Sequence, residues 1–148
     1  MKKIALILIG SLIQLCAYAQ IETPVKWSYA AKKIGPNEAV LLLKATIEPG
    51  WHIYSLYIKD GGPVKTSFTF KKSLFYSLIG KPTEPKPTVH FEKSFGMDVS
   101  YFEKEVIFQQ KIKLKKPAVT VKGSLEFMTC NDHKCLPPTD IDFSIPVK

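Results

Sequence analysis

The stretch Glu105-Val-Ile-Phe-Gln-Gln-Lys-Ile-Lys-Leu114 decides the fold class. Val106, Phe108, Gln110, Ile112 and Leu114 fall on one side of an extended chain, and Ile107, Gln109, Lys111, Lys113 and Lys115 on the other. After the first few residues one side is apolar and the other charged, which is the mark of a strand with one face on a core and one in water. Working outward, apolar or alternating runs bounded by Gly, Pro, Asn or Asp occur at residues 26–31, 39–47, 52–57, 66–70, 76–79, 89–91, 119–128 and 140–146. With 105–114 these predict nine short strands, and nine strands in one domain predict an all-β sandwich. Turn chemistry agrees. Gly35-Pro-Asn37, Glu48-Pro-Gly50, Asp60-Gly-Gly-Pro63 and the series Pro82, Pro85, Pro87 interrupt any helical period, and 11 prolines leave little space for long helices. Residues 81–88 read as an extended connection between sheets.

The first 19 residues have a different character. Lys2 and Lys3 precede an apolar run from Ile4 to Leu15, and Ala17-Tyr-Ala19 offers small residues at a cleavage site. This is the pattern of a secretory signal peptide, so the mature chain is expected to span residues 20–148 outside the cytoplasm. Lipidation at Cys16 is disfavoured because Leu15 is too large for the position before an acceptor cysteine. The apolar run falls short of the ~20 residues that cross a bilayer, and no stable membrane insertion is expected. Residues 20–148 suffice for one domain with a hydrophobic core. No linker to a second domain is expected, because the last apolar strand ends two residues from Lys148. Without Lys2 and Lys3, 19 of the 21 basic residues remain against 13 acidic ones, a formal charge of +6. Every basic residue is lysine and they are spread along the chain, which fits solvated faces and strand-edge protection; with no arginine, nucleic-acid binding is not expected.

Cys130 and Cys135 lie in Met128-Thr-Cys-Asn-Asp-His-Lys-Cys-Leu-Pro-Pro138, and Cys16 belongs to the segment expected to be removed. The mature chain would then hold one cysteine pair, which either staples a loop or exchanges electrons. Closing so short a loop restricts the unfolded chain by only about 2 kcal/mol, against ~3 for fifteen residues, so a staple gains little. An exported domain with two cysteines nevertheless often carries an inert disulfide. Three features favour exchange. The pair sits at a strand end in a polar turn where a sulfur can be reached. His133 and Lys134, beside Cys135, favour a thiolate if they approach it, although Asp132 opposes them. Leu136-Pro137-Pro138 imposes a stiff, extended exit. Capture of copper or zinc by Cys130, His133 and Cys135 with Met128 is the competing chemistry, but the spacing matches no standard zinc pattern. No metal or other cofactor is therefore expected.

These residues resemble a known family, the periplasmic N-terminal domain of the thiol:disulfide interchange protein DsbD, also described as a disulfide-bond corrector domain. The resemblance runs through Pro49-Gly-Trp-His-Ile-Tyr54, Gly61-Gly-Pro63, the loop from Phe91 to Tyr101 with Gly96, Gly123-Ser-Leu-Glu-Phe-Met-Thr-Cys130, and Cys135-Leu-Pro-Pro138. It implies an immunoglobulin-like β-sandwich in the periplasm whose cysteine pair relays reducing equivalents. It also implies a thioredoxin-like electron donor domain, and as acceptor a periplasmic disulfide isomerase or a cytochrome c maturation thioredoxin. On family precedent Cys135 forms the intermolecular bond and Cys130 resolves it. The family's mobile cap loop corresponds to residues 92–100, with Phe95 as the aromatic lid and Phe91 as the alternative. His52 and Tyr54 match positions beside the cysteines, and Trp51 is read as core. Here four residues separate the cysteines where better-known members have five. The membrane and thioredoxin-like domains that supply electrons in the family are not in this chain, so its donor is expected to be a separate protein. The alternative is an immunoglobulin-like binding or adaptor module with a structural disulfide.

Overall fold

The computed structural model describes residues 22–148; the expected signal segment, with Cys16, lies outside the described residues. Eleven strands are formed: β1 (Val25–Gly35), β2 (Glu38–Ile47), β3 (Trp51–Tyr54), β4 (Ser67–Phe70), β5 (Tyr76–Thr83), β6 (Thr88–Glu92), β7 (Met97–Phe102), β8 (Glu105–Leu114), β9 (Val119–Phe127), β10 (Thr129–Asn131) and β11 (Thr139–Val147). They make three antiparallel sheets with orders β1-β2-β8-β5, β10-β3-β7-β6 and β11-β9-β4. The all-β, immunoglobulin-like sandwich expected from the sequence is what forms. Among the described residues no helix is long and apolar enough to cross a membrane.

The alternation of 105–114 appears as alternating burial. Val106, Phe108, Gln110, Ile112 and Leu114 are buried, and their neighbours are exposed. β8 pairs with β2 so that Leu43 faces Phe108 and Leu41 faces Gln110, all four with no exposed surface. Burying Phe108 or Leu43 completely contributes about 2–3 kcal/mol each. The core forms against Val121, Leu125 and Phe127 of β9 and Phe143, Ile145 and Val147 of β11. Trp27 of β1 bridges the layers, stacking on Phe108 at 6.0 Å and meeting Phe127 edge-on at 5.5 Å. Gln110 is the exception on the apolar face. Its Nε2 donates to Ile79 O at 3.1 Å and Lys111 O at 2.8 Å, where the β5–β8 register slips between Ile79 and Thr83. The buried amide thus satisfies carbonyl groups at the irregularity.

Four strand expectations needed correction. The run at 52–57 is a strand only as Trp51–Tyr54. The run at 119–128 ends at Phe127, and after Met128 the chain enters β10, in another sheet. β5 continues to Thr83, so the connection between sheets is shorter than 81–88. Residues 97–102, which take in the last four residues of the 92–100 segment expected as a cap, form β7. Asp98 and Ser100 have poor strand propensity, but Met97, Val99 and Tyr101 alternate with them on the face that packs with Tyr54 and Cys130, and Phe102 is buried on the opposite face in the main core. Glu84 fastens the remaining connection to the end of β3. Ser55 Oγ donates to Glu84 Oε1 at 2.5 Å, and Leu56 N donates to Oε2 at 2.8 Å. This clasp sets the position of β6 and β7, and so of one wall of the site.

Candidate functional site

β10 brings Cys130 to the centre of the second sheet's edge. It pairs with β3, placing Thr129 opposite Ile53 and Cys130 opposite His52, and Thr129 Oγ1 donates to His52 O at 2.9 Å. The chain then turns back so that Cys130 and Cys135 form a bridge and a disulfide, with Cα atoms 4.0 Å apart. Asn131 builds the turn. Its Oδ1 accepts from His133 N at 2.9 Å and Lys134 N at 2.8 Å, while Asn131 N donates to Lys134 O at 2.9 Å. On the other side Leu136 N donates to Thr129 O at 2.9 Å. The stiff exit expected from Leu136-Pro137-Pro138 is therefore anchored by a backbone hydrogen bond immediately after Cys135.

The two sulfurs have unequal surroundings. Cys130 is 2% exposed and packs with Tyr54 and Val99 in a small second core, which Met97, Tyr101, Met128 and Ile58 flank. Cys135 is exposed. The same hairpin thus buries one half of the pair and presents the other.

Facing the disulfide is the β6–β7 hairpin. Phe95 N and Gly96 N both donate to Glu92 O, at 3.1 and 2.8 Å, and Gly96 takes φ +66°, a left-handed conformation that a side chain disfavours. The turn directs Phe95 to Tyr54, with ring centroids 6.5 Å apart and planes nearly perpendicular. Between this hairpin and the cysteine loop lies a groove of ≈ 590 Å³. Cys130 and Cys135, the aromatic rings of Phe95 and Phe91, and His52, Tyr54 and His133 all line it. All seven residues singled out in the sequence are brought together. They do not contribute equally: Phe95 is half-buried, whereas Phe91 is 53% exposed. Trp51, read as core, is half-buried against the main core. Lys134 pairs with Glu22 at 2.6 Å, so its charge is shared with a carboxylate outside the cysteine loop. Among the described residues no group of three or more His, Cys, Asp or Glu side chains is placed to hold a metal ion.

Tyr54 is 1% exposed, and burial with the Glu92 carboxylate pushes its hydroxyl pKa up to about 12. It remains a protonated donor at neutral pH, 3.2 Å from His52 Nε2. Burial lowers the His52 pKa below 6.5, against the opposing pull of Glu92, Glu103 and Asp132. A neutral ring with Nε2 unprotonated accepts from Tyr54 Oη. Because the unfolded chain protonates His52 near 6.5 and the fold resists it, stability falls as pH drops below 6.5 until the folded pKa is passed. His52→Gln should remove that part of the slope, as urea midpoints on either side of 6.5 would record. An unchanged slope would place the pH dependence elsewhere.

Sequence reasoning passed over Tyr101 and Asn131. Tyr101 stands 5.1 Å from His52, ring to ring, and its signal was the alternation of β7. Asn131 carries the turn, and its signal was an Asn opening a short polar loop.

The profile of the family described as thiol:disulfide interchange protein DsbD, N-terminal, matches residues 22–145. No curated protein matches the chain. Among solved structures, the Neisseria meningitidis DsbD N-terminal domain in its reduced form is similar at 19% identity and a TM-score of 0.51, covering 79% of this chain and 82% of that one. The N-terminal periplasmic domain of ScsB from Proteus mirabilis is similar at 20% identity and a TM-score of 0.56; the match covers 84% of this chain and only 48% of that one. A complex between the DsbD N-terminal and PilB N-terminal domains of Neisseria meningitidis gives 16% identity and a TM-score of 0.55, covering 84% and 87% of the two chains. At these identities the structures speak for the fold.

Proposed function

The chain belongs to the family of the DsbD N-terminal domain, which relays reducing equivalents through cysteines, and from that premise we propose that Cys130 and Cys135 are an exchanging pair in an exported domain. The observation that carries the reading is the asymmetry of the disulfide: an exposed Cys135 beside a Cys130 that is 2% exposed, on a groove between two hairpins. An incoming thiolate must meet the attacked sulfur in line with the bond it breaks, and Cys135 is the sulfur that a protein partner can reach.

The electrons balance over two exchanges. In loading, a thiolate of a reduced thioredoxin-like donor attacks Cys135 Sγ, and Cys130 leaves as a thiolate and takes up a proton. The donor's second thiolate then attacks its own sulfur in the mixed disulfide and releases Cys135, so the donor ends oxidised and the pair reduced. In delivery, the Cys135 thiolate attacks the acceptor's disulfide. Cys130, deprotonated in turn, attacks Cys135 Sγ, and the acceptor departs as a dithiol. A periplasmic disulfide isomerase or a cytochrome c maturation thioredoxin fits the acceptor role, and the DsbD–PilB complex supports a protein domain as the docking partner. The pattern of residues 1–19 supports export.

Rapid mixing of the oxidised protein with a reduced thioredoxin-like domain tests the reading. Loss of the donor's thiols should match reduction of Cys130–Cys135 one for one. A folded protein whose disulfide survives excess donor would instead be a binding module with a structural staple.

Phe95 is assigned the lid. Its ring, edge-on to Tyr54 over the groove, restricts small molecules approaching Cys135. Phe95→Ala should speed reduction by dithiothreitol several-fold, because access to the attacked sulfur is one of the factors that set the rate of thiol–disulfide exchange. Phe91→Ala, removing a ring that already projects into water, should change the rate less. Equal rates in wild type and Phe95→Ala would return Phe95 to packing alone.

A further inference from the structure

Leu78 points toward the core and is not covered. It pairs with Ile112 of β8, and directly opposed residues in an antiparallel pair lie on the same face. Ile112 has no exposed surface, yet Leu78 is 44% exposed. The cause is a mismatch between the layers: β5 is the fourth strand of its sheet, whereas the facing β11-β9-β4 sheet has three and ends at β4. At one end the connection after β3 closes the seam, with Tyr57 Oη donating to Pro82 O at 3.1 Å. At the other end the β4–β5 connection, residues 71–75, crosses between the sheets, and no described strand covers the seam beside it. There an apolar groove of ≈ 490 Å³ is lined by Phe70, Tyr76 and Leu78, with Leu74 at its lip, 85% exposed.

The charge around this groove has one sign. Lys71 and Lys72 line it, and Lys116 Nζ sits 4.0 Å over the ring of Phe75 next to it. Residues 61–83 and 106–125 contain no Asp or Glu; Glu126 of β9 lies opposite Ser67, at the end of β4 away from Phe70 and the groove. We propose that the seam between β4 and β5 is a second docking site, distinct from the cysteine groove, that takes an extended, acidic segment of a partner protein. The segment adds to the free edge of β4 in the position of a missing fourth strand. Its alternate apolar side chains cover Leu78, Tyr76 and Phe70, and its carboxylates face Lys71 and Lys72. A basic segment would meet unpaired ammonium groups and is excluded.

An eight-residue peptide alternating valine with glutamate, capped at both ends, is the probe, titrated into the isotope-labelled protein and followed by backbone amide shifts. Shifts should concentrate at Phe70 to Leu78 and leave Cys130 to Cys135 unmoved. Both Leu78→Asp and the double change Lys71→Glu, Lys72→Glu should weaken binding about tenfold or more. These side chains are at the surface, and the amide spectrum itself reports whether each variant is folded. A lysine–valine peptide should not bind. Absence of shifts at the seam, shifts centred on the cysteine loop, or equal binding of the two peptides would each overturn the proposal. So would concentration-dependent self-association abolished by Leu78→Asp, which would assign the seam to a second copy of this chain.

Discussion

A Cys130→Ser protein is expected to capture partners and release none. Presented with a thioredoxin-like domain that retains only its exposed cysteine, activated as the mixed disulfide with thionitrobenzoate, Cys135 should displace the coloured thiolate and leave a stable one-to-one adduct that dithiothreitol dissolves. Produced as residues 20–148, which leave out Cys16, the Cys130→Ser protein has no thiol left to attack that bond. The converse variant, Cys135→Ser, leaves a thiol that is 2% exposed and packed against Tyr54 and Val99. Its displacement of thionitrobenzoate should be slower by about a hundredfold, because burial both hinders approach and disfavours the thiolate. The two variants differ by one atom at each site, so the ratio of their rates measures the asymmetry of the pair. Equal rates, or no adduct with Cys130→Ser, would remove the basis for assigning attack to Cys135 and resolution to Cys130.

The second large effect lies away from the cysteines. Gly123 sits in β9 between β4 and β11, opposite Phe70 on one side and Phe143 on the other. A Cβ there would lie 2.2 Å from Thr69 O and 2.5 Å from Phe143 Cζ. The first of these atoms is backbone and cannot move without shifting β4. Gly123→Ala should therefore cost about 3 kcal/mol or more, at the upper end of overpacking, and lower Tm by roughly 10 °C. Gly35→Ala is the control: its Cβ would meet only Glu38 Cβ at 3.9 Å, so stability should stay within about 0.5 kcal/mol. Thermal or urea unfolding of the two variants decides the matter. If Gly123→Ala unfolds with the wild type, β4 and β9 are less closely packed than described.

Period-two burial made the main sandwich legible, since 105–114 and 39–47 carry it almost without exception. Residues 97–102 carry the same period in Met97, Val99 and Tyr101, but the resemblance assigned 92–100 to a mobile cap loop; as β7 they pair with β3 and β6. Gly123 stood in the sequence as part of a family signature. Its physical reason, a carbonyl and a phenyl ring arriving from two other strands, depends on residues far away in the chain. The site divides in the same way. Spacing and compartment could say only that Cys130 and Cys135 were a staple or a switch. The resemblance supplied Phe95, Phe91, His52 and Tyr54, and the fold gathers them on one groove with the cysteines. The difference between the sulfurs could not be read beforehand: β10 buries Cys130 through its register with β3, across more than seventy residues of sequence.

The hydrogen bonds on either side of the disulfide have a kinetic consequence. Asn131 N to Lys134 O and Leu136 N to Thr129 O join the two arms of the hairpin without the sulfurs. Reduction cuts one of several links between residues 129 and 136, and the remaining links hold Cys130 close to Cys135. Closing the ring from a mixed disulfide is then an intramolecular reaction at high effective molarity, of the kind that oriented neighbours raise by many orders of magnitude. Complexes of the intact pair should be fleeting, with lifetimes set by ring closure and not by how well the surfaces fit, and an abundant partner need never be found bound.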